Sequence, residues 1–151
     1  SLHDALPILD SLIKAGYKEI HKDLYLVPIE IGQVFRLNNV FFDFDKYTLR
    51  PESYVELDRV VKFLTEYPNV EIEMSAHTDS KGADDYNLTL SDNRAKSVRE
   101  YILSKGIAAT RIISQGYGEN KPVAANSNAD GSDNPEGRQL NRRVEFKILK
   151  N

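Results

Sequence analysis

Val70–Asp79, VEIEMSAHTD, alternates without a break: Val70, Ile72, Met74, Ala76 and Thr78 fall on one side, Glu71, Glu73, Ser75, His77 and Asp79 on the other. A period of two with one apolar and one polar set is the pattern of a β-strand whose sheet is packed on one face and wet on the other. Strands of a doubly wound α/β fold are covered on both faces and read as continuous apolar runs. The stretch therefore favours a two-layer α+β sandwich.

The elements on either side agree. Upstream, Pro51 suits the first helical position, and Tyr54, Leu57, Val60, Val61 and Leu64 recur at helical spacing until Pro68 stops the run. Before that helix, Asn39–Asp45 (NVFFDFD) sets Val40, Phe42 and Phe44 against Phe41, Asp43 and Asp45, which predicts a first strand. Downstream, the loop Ser80–Asp85 leads to a second helix from about Asn87 to Lys105, ended by Gly106. Ile112–Tyr117 and Arg142–Leu149 supply two more strands, and polar Gly118–Leu140 reads as a long surface loop. The expectation is a mixed four-stranded sheet in βαβαββ order, with two main helices on one face.

The N-terminal part is set apart. Ser1–Ile8 resembles one reading frame of a common sequencing-adapter oligonucleotide and is kept out of the fold argument. Leu9–Gly16 carries a weak helical pattern, and Leu24–Ile31 reads as extended chain limited by Pro28. Residues 1–36 are expected to be an N-terminal segment and linker, and residues 37–151 the core domain.

Composition narrows the functional classes. The chain has 151 residues, 40% hydrophobic and 28% charged, with a net charge of −3, and its Lys and Arg are interleaved with Asp and Glu, which argues against nucleic acid as a partner. There is no cysteine, so thiolate metal sites, Cys nucleophiles and disulfides are excluded. No run approaches the roughly 18 apolar residues of a membrane span. Ser1–Ile13 also lacks a signal peptide's basic start and apolar core, so any signal and membrane anchor are expected upstream of this fragment.

One residue stands out on chemical grounds. In the second helix Val98 and Ile102 centre the apolar stripe, and Arg94 lies on that stripe one turn earlier. A guanidinium facing a core requires an anion, because an unpaired buried charge costs several kcal/mol or more. Asp79, at the strand end, is the candidate. Two readings stay open from residue types alone: Asp79 and Arg94 form an ion pair, or both grip a ligand that carries a carboxylate and an ammonium.

Thr78-Asp79, Leu90-Ser91, Arg94-Ala95 and Val98 reproduce, at fixed spacing, the signature of the OmpA-like C-terminal domain, which this chain resembles from Val40 to Leu149. That family includes peptidoglycan-associated lipoproteins and flagellar stator proteins. Further matches are Phe42–Arg50, Tyr86-Asn87, Gly116–Glu119 and Asn141–Val144. Two departures are Ala76, where a glycine is usual, and a long Asn126–Gln139 loop. The resemblance implies non-covalent binding of peptidoglycan through the diaminopimelate of its stem peptide. The residue matching Asp79 would take the ligand's ammonium and the one matching Arg94 its carboxylate. It also implies a place on the periplasmic face of the outer membrane, where such a domain anchors the membrane or an envelope protein to the cell wall. A homodimer or contact with other envelope proteins is left open, and the alternative is an envelope interaction module without peptidoglycan affinity.

The remaining candidates are supporting. Thr78 and Leu90 belong to the signature. Asn87 could cap its helix or meet the ligand; Phe44 and Asp45 end the expected first strand, as core or as groove wall. Of Arg142 and Arg143, neighbours on a strand, one should face the groove and the other solvent. No catalytic residue is expected: His77 and Asp79 share a strand face, but no nucleophile-elbow motif accompanies Ser75 or Ser91. Asp43 and Asp45 offer a glycosidase-like pair with no argument for a raised pKa. Asn126–Gly131 begins like an EF-hand loop, yet its twelfth position falls on Gly137 rather than an acid, so no metal and no cofactor is expected.

Overall fold

A computed structural model describes residues 28–151 and the two-residue strand β1 (Lys18–Glu19). The expected helix over Leu9–Gly16 and the first half of Leu24–Ile31 lie outside the described residues; Pro28–Ile31 is not a strand. The sheet comprises β1, β2 (Val34–Leu37), β3 (Glu71–His77), β4 (Ile112–Gly118) and β5 (Arg143–Lys150), in spatial order β1-β2-β5-β3-β4. The β3/β4 and β1/β2 pairs are parallel, and β5 runs antiparallel to both its neighbours. Helices α1 (Tyr54–Glu66) and α2 (Asp84–Ser104) pack on one face, and a short α3 (Pro135–Asn141) precedes β5. The fold is α+β, with four longer strands in one mixed sheet and the two-residue strand beside β2.

Alternation along β3 and β5 directs Ile72, Met74, Ala76, Val144, Phe146 and Ile148 inward, where α1 contributes Leu57, Val60, Phe63 and Leu64 and α2 contributes Ala95, Val98 and Ile102. Phe35, Phe63 and Phe146 form the centre, with ring centroids 5.0 to 6.5 Å apart, the tilted and offset contacts that aromatic rings favour. Phe35 is 1% exposed and belongs to β2, so the sheet begins before Leu37, the start expected from sequence.

The first strand is not where periodicity placed it. Asn39–Asp45 folds on itself: Phe42 bridges Leu49, the Asp43 amide donates to the Thr48 carbonyl, and Asp45 takes the left-handed conformation at φ 58°. Ser53 locks the loop, its Oγ accepting from the Phe41 amide at 2.7 Å and donating to the Phe41 carbonyl at 2.9 Å. Alternation here marks a pinched loop that drops Val40 and Phe42 onto the core edge. Phe44, expected in the core or the groove wall, is 96% exposed.

Gly118–Leu140 also differs from a plain loop, because it contains α3. Asn134 accepts a hydrogen bond from the Gly137 amide and Pro135 occupies the first turn, a standard helix start. Asn141, fully buried, then pins the preceding segment, accepting from the Val123 and Ala124 amides and donating to the Ala124 carbonyl and to Asn126.

Candidate functional site

The C-terminal ends of β2 and β3 and the N-terminal end of β5 meet at one end of the sheet, beside the first half of α2 and the 38–50 loop. Between them lies a cavity of about 260 Å³. Phe41, Phe42, Leu37 and Val144 give it an apolar wall, and Arg36, Arg50, Arg94, Arg142 and Arg143 give it a cationic one.

Asp79 is 7% exposed just past the end of β3. Its Oδ1 accepts from the Lys81 amide at 2.9 Å, and its Oδ2 from Arg142 at 2.5 Å and from Arg138 at 3.5 Å. Burial alone would raise its pKa, but the Lys81 amide and the two guanidiniums outweigh that and hold the carboxyl below its ordinary value. The ionised form is therefore the stable one at neutral pH.

Arg94 is not the partner of Asp79. Its Nε donates to the Lys46 carbonyl at 2.9 Å, and its guanidinium lies 4.8 Å from the Phe42 ring centroid, a cation–π contact. Among the described residues no carboxylate lies within 4 Å of it and its Nη groups meet no acceptor. Burial lowers its pKa, opposed by the neighbouring Tyr86 phenol and Asp45 carboxylate. A half-buried guanidinium over a ring, with its fork unused, can accept a planar anion.

The other expected residues divide. Thr78 is buried; its amide donates to the Gly118 carbonyl and its hydroxyl to the Asp79 carbonyl. Asn87 lies one turn inside α2 rather than at its cap, and its Nδ2 donates to the Lys81 carbonyl at 2.9 Å and the Asp79 carbonyl at 3.4 Å. Asp45 accepts from the Tyr86 hydroxyl. Arg142 is the more exposed of its pair and also donates to Gln139, whereas Arg143 is buried and donates to Glu145, the Asn141 carbonyl and the Lys121 carbonyl. Both border the cavity. Leu90 is half-buried on α2, and neither it nor Phe44, Asp45, Thr78, Asp79 or Asn87 lines it.

Sequence reasoning missed Arg138, Arg50 and the setting of His77. Arg138 hid in the apparent loop; the Asn134-Pro135 start of α3 was the available signal. The expected wet face of β3 is closed at this end: Ser75 and His77 are each 4% exposed. Tyr117 stacks on His77 with centroids 5.3 Å apart, and His77 Nε2 lies 3.3 Å from Glu145. His77 Nδ1 is buried without a partner. The donor therefore sits on Nε2, facing the carboxylate, and the bare lone pair on Nδ1.

Burial, first among the causes, lowers the His77 pKa below its ordinary 6.5 despite the Glu145 contact. An unfolded chain takes the proton more readily than the folded one, so this group's stability contribution is complete above the unfolded value and lost as pH falls towards the folded one. The melting temperature is expected to drop between pH 7.5 and 5.5. His77→Gln should flatten that part of the profile when followed by circular dichroism.

Among the described residues no group of three or more His, Asp and Glu could hold a metal ion. In the EF-hand-like stretch Asp130 accepts from Ser132, and Asp133 binds Arg138, so its carboxylates serve the turn.

Residues 41–135 match the family model described as OmpA family. The chain belongs to the OmpA family. OmpA-family relatives include outer membrane protein A of Bordetella avium, 43% identical over 81% of this chain and 59% of that protein. The peptidoglycan-associated lipoprotein of Rhizobium meliloti is 38% identical over 58% of this chain and 49% of its own length. A 49% identical match covers 80% of this chain but 14% of the photosystem I P700 chlorophyll a apoprotein A2 of Gloeobacter violaceus. The chain thus spans between 14% and 59% of these relatives. Among solved structures, the periplasmic domain of Helicobacter pylori MotB superposes with a TM-score of 0.67 at 23% identity, over 83% of this chain and 87% of that one. The cell wall anchor of the T6SS from Pseudomonas aeruginosa gives 0.62 at 25% identity, over 78% and 80%. As an OmpA-family domain with outer-membrane and lipoprotein relatives, the chain is a domain of the cell envelope, on the periplasmic face of the outer membrane.

Proposed function

We propose that this domain binds peptidoglycan without making or breaking a bond, holding the diaminopimelate of the stem peptide between Asp79 and Arg94, and so anchors the outer membrane or an envelope protein to the cell wall. The observation that carries this reading is that the two charges do not neutralise each other. Arg94 keeps its Nη fork free among the described residues, while Asp79 is kept ionised by Lys81, Arg142 and Arg138. A side chain that ends in both a carboxylate and an ammonium satisfies both groups.

In this reading Arg94 takes the carboxylate bidentately. The ammonium approaches Asp79, whose two oxygens offer about four acceptor sites and use three. Arg142, partly exposed, can swing aside if the ammonium needs Oδ2. Thr78 and Asn87 hold the backbone around Asp79, and Arg143 lines the cavity. Each charge-assisted contact contributes about 1.5–3 kcal/mol, so one site binds modestly, and many copies on one polymer provide the hold. The names of the lipoprotein and cell-wall-anchor relatives support the same reading.

The test is sedimentation with purified sacculi. Wild-type protein is expected to pellet with diaminopimelate-containing sacculi and to stay soluble with lysine-type sacculi, whose third residue lacks the second carboxylate. Arg94→Ala should weaken binding about tenfold or more, since 1.4 kcal/mol is a factor of ten. Equal pelleting of wild type and Arg94→Ala would overturn the clamp and leave the interaction-module alternative.

A further inference from the structure

The cavity is larger and more cationic than a single zwitterion requires. Among the described residues five guanidiniums line it and no carboxylate does. Three of the five already hold a carboxylate from outside the lining: Arg142 holds Asp79, Arg143 holds Glu145 and Arg50 holds Glu52. Arg94 uses one carboxylate in the proposed clamp. Arg50 is the next guanidinium with donors to spare. A single 3.2 Å contact to Glu52 occupies one of its nitrogens, and among the described residues its Nε and Nη1 meet no acceptor. Its backbone amide is fixed to the Phe41 carbonyl at 2.9 Å, so its stem starts from a determined position on the cavity wall.

We infer that the cavity is a two-carboxylate site: Arg94 takes the carboxylate of the zwitterion, and Arg50, in the field of Arg36 and Arg143, takes a second free carboxylate on the adjoining residue of the same peptide. This inference rests on the clamp reading and adds a specificity to it. A stem peptide supplies that group when its glutamate is linked through the side chain, which leaves the α-carboxylate free. Amidation of that carboxylate removes the charge and presents an amide N–H₂ to a wall made of donors, and a donor facing donors is left unpaired at a cost comparable to a lost hydrogen bond. A volume of about 260 Å³ is near the lower end of small-molecule sites, which run from roughly 300 Å³. That suits one or two peptide residues. Apolar Phe41, Phe42 and Val144 would lie under the peptide's hydrocarbon part while the guanidiniums take its ends.

The experiment is calorimetric titration with two synthetic tripeptides, L-Ala-γ-D-Glu-meso-diaminopimelate and the same peptide with the glutamate α-carboxylate amidated. Wild type is expected to bind the amidated peptide about tenfold more weakly. Arg50→Gln should bind both alike, at the level of wild type with the amidated peptide. Arg50 is half exposed and its one side-chain partner is exposed too, so this variant should melt with wild type. If wild type binds the two peptides within twofold of each other while Arg94→Ala weakens both, the second-carboxylate site is wrong and the clamp stands. If neither peptide binds, the clamp reading and this inference fall together.

Discussion

Asp79→Asn is expected to lose sacculus binding almost completely while staying folded. The substitution keeps the side-chain shape and an acceptor oxygen for the Lys81 amide, but removes the charge that an ammonium would meet. It also leaves Arg142 and Arg138 without their shared carboxylate, and the uncompensated guanidiniums repel an arriving ammonium. Loss of one charge-assisted contact is worth about 1.5–3 kcal/mol, or roughly 10- to 150-fold in affinity for a soluble muropeptide. On a sacculus, where the hold multiplies over many sites, the fall is steeper. The fold should survive because Arg138 retains Asp133 at 2.6 Å and Arg142 retains Gln139. Titration fixes the sign of the accompanying pH effect. Because the folded pKa of Asp79 is lowered, its contribution is whole above the ordinary carboxyl value and disappears only as pH falls through the folded one. Wild-type binding should hold from neutral pH to mildly acid and fail only in strong acid, whereas Asp79→Asn should be weak throughout. Binding of Asp79→Asn within twofold of wild type would remove Asp79 from the site.

The parts of this arrangement that were legible in the sequence are those set by local pattern. Strict alternation over Val70–Asp79 and Arg142–Leu149 placed two central strands, and the spacing of Leu57, Val60 and Leu64 placed α1, because burial on one face imposes a period that chemistry alone reveals. Arg94 stood out for the same reason: a charge on an apolar stripe breaks the period. Pairing was not legible. Asp79 matches Arg94 by charge and spacing, yet its carboxylate went to Arg138 and Arg142, side chains some sixty residues on that the fold delivers from α3 and its end. Alternation also failed at Asn39–Asp45. There a period of two records which side chains meet the core, and it does not say whether the backbone pairs with another strand or folds back on itself through Ser53 and a left-handed Asp45. The buried His77 escaped notice because its cover comes from Tyr117, Glu145 and Arg143, which no local window contains.

Gly116→Ala should be strongly destabilising, and it should carry the binding site with it. A Cβ built at Gly116 would stand 2.1 Å from the Asp92 amide nitrogen, 2.4 Å from the Asp92 Cα and 2.6 Å from the Ser91 carbonyl carbon. These are backbone atoms of α2, so no side chain can rotate away, and the helix must retreat from β4. Its seat there is specific: Ser91 Oγ accepts from the Gly118 amide at 2.8 Å, Asp92 Oδ1 accepts from the Gly116 amide at 3.3 Å, and Ala95 and Val98 are fully buried beneath it. Overpacking a core costs about 1–3 kcal/mol when side chains can adjust, and a backbone-to-backbone clash belongs at or above the upper end. At about 2–4 °C per kcal/mol for a chain of this size, the melting temperature should fall by roughly 6–12 °C or more. Gly106→Ala is the control. Its φ of 97° makes alanine strained, but nothing lies within 4 Å of its Cβ, so only the local conformational cost of about 1–2 kcal/mol applies. The two variants separate in a second way. Arg94 is one turn along α2 from the displaced contact, and Asn87 one turn before it, so Gly116→Ala should lose muropeptide affinity even at temperatures where it remains folded, and Gly106→Ala should not. Equal melting temperatures for the two would mean that α2 can slide on β4, and that the position of Arg94 does not depend on the missing side chain at Gly116.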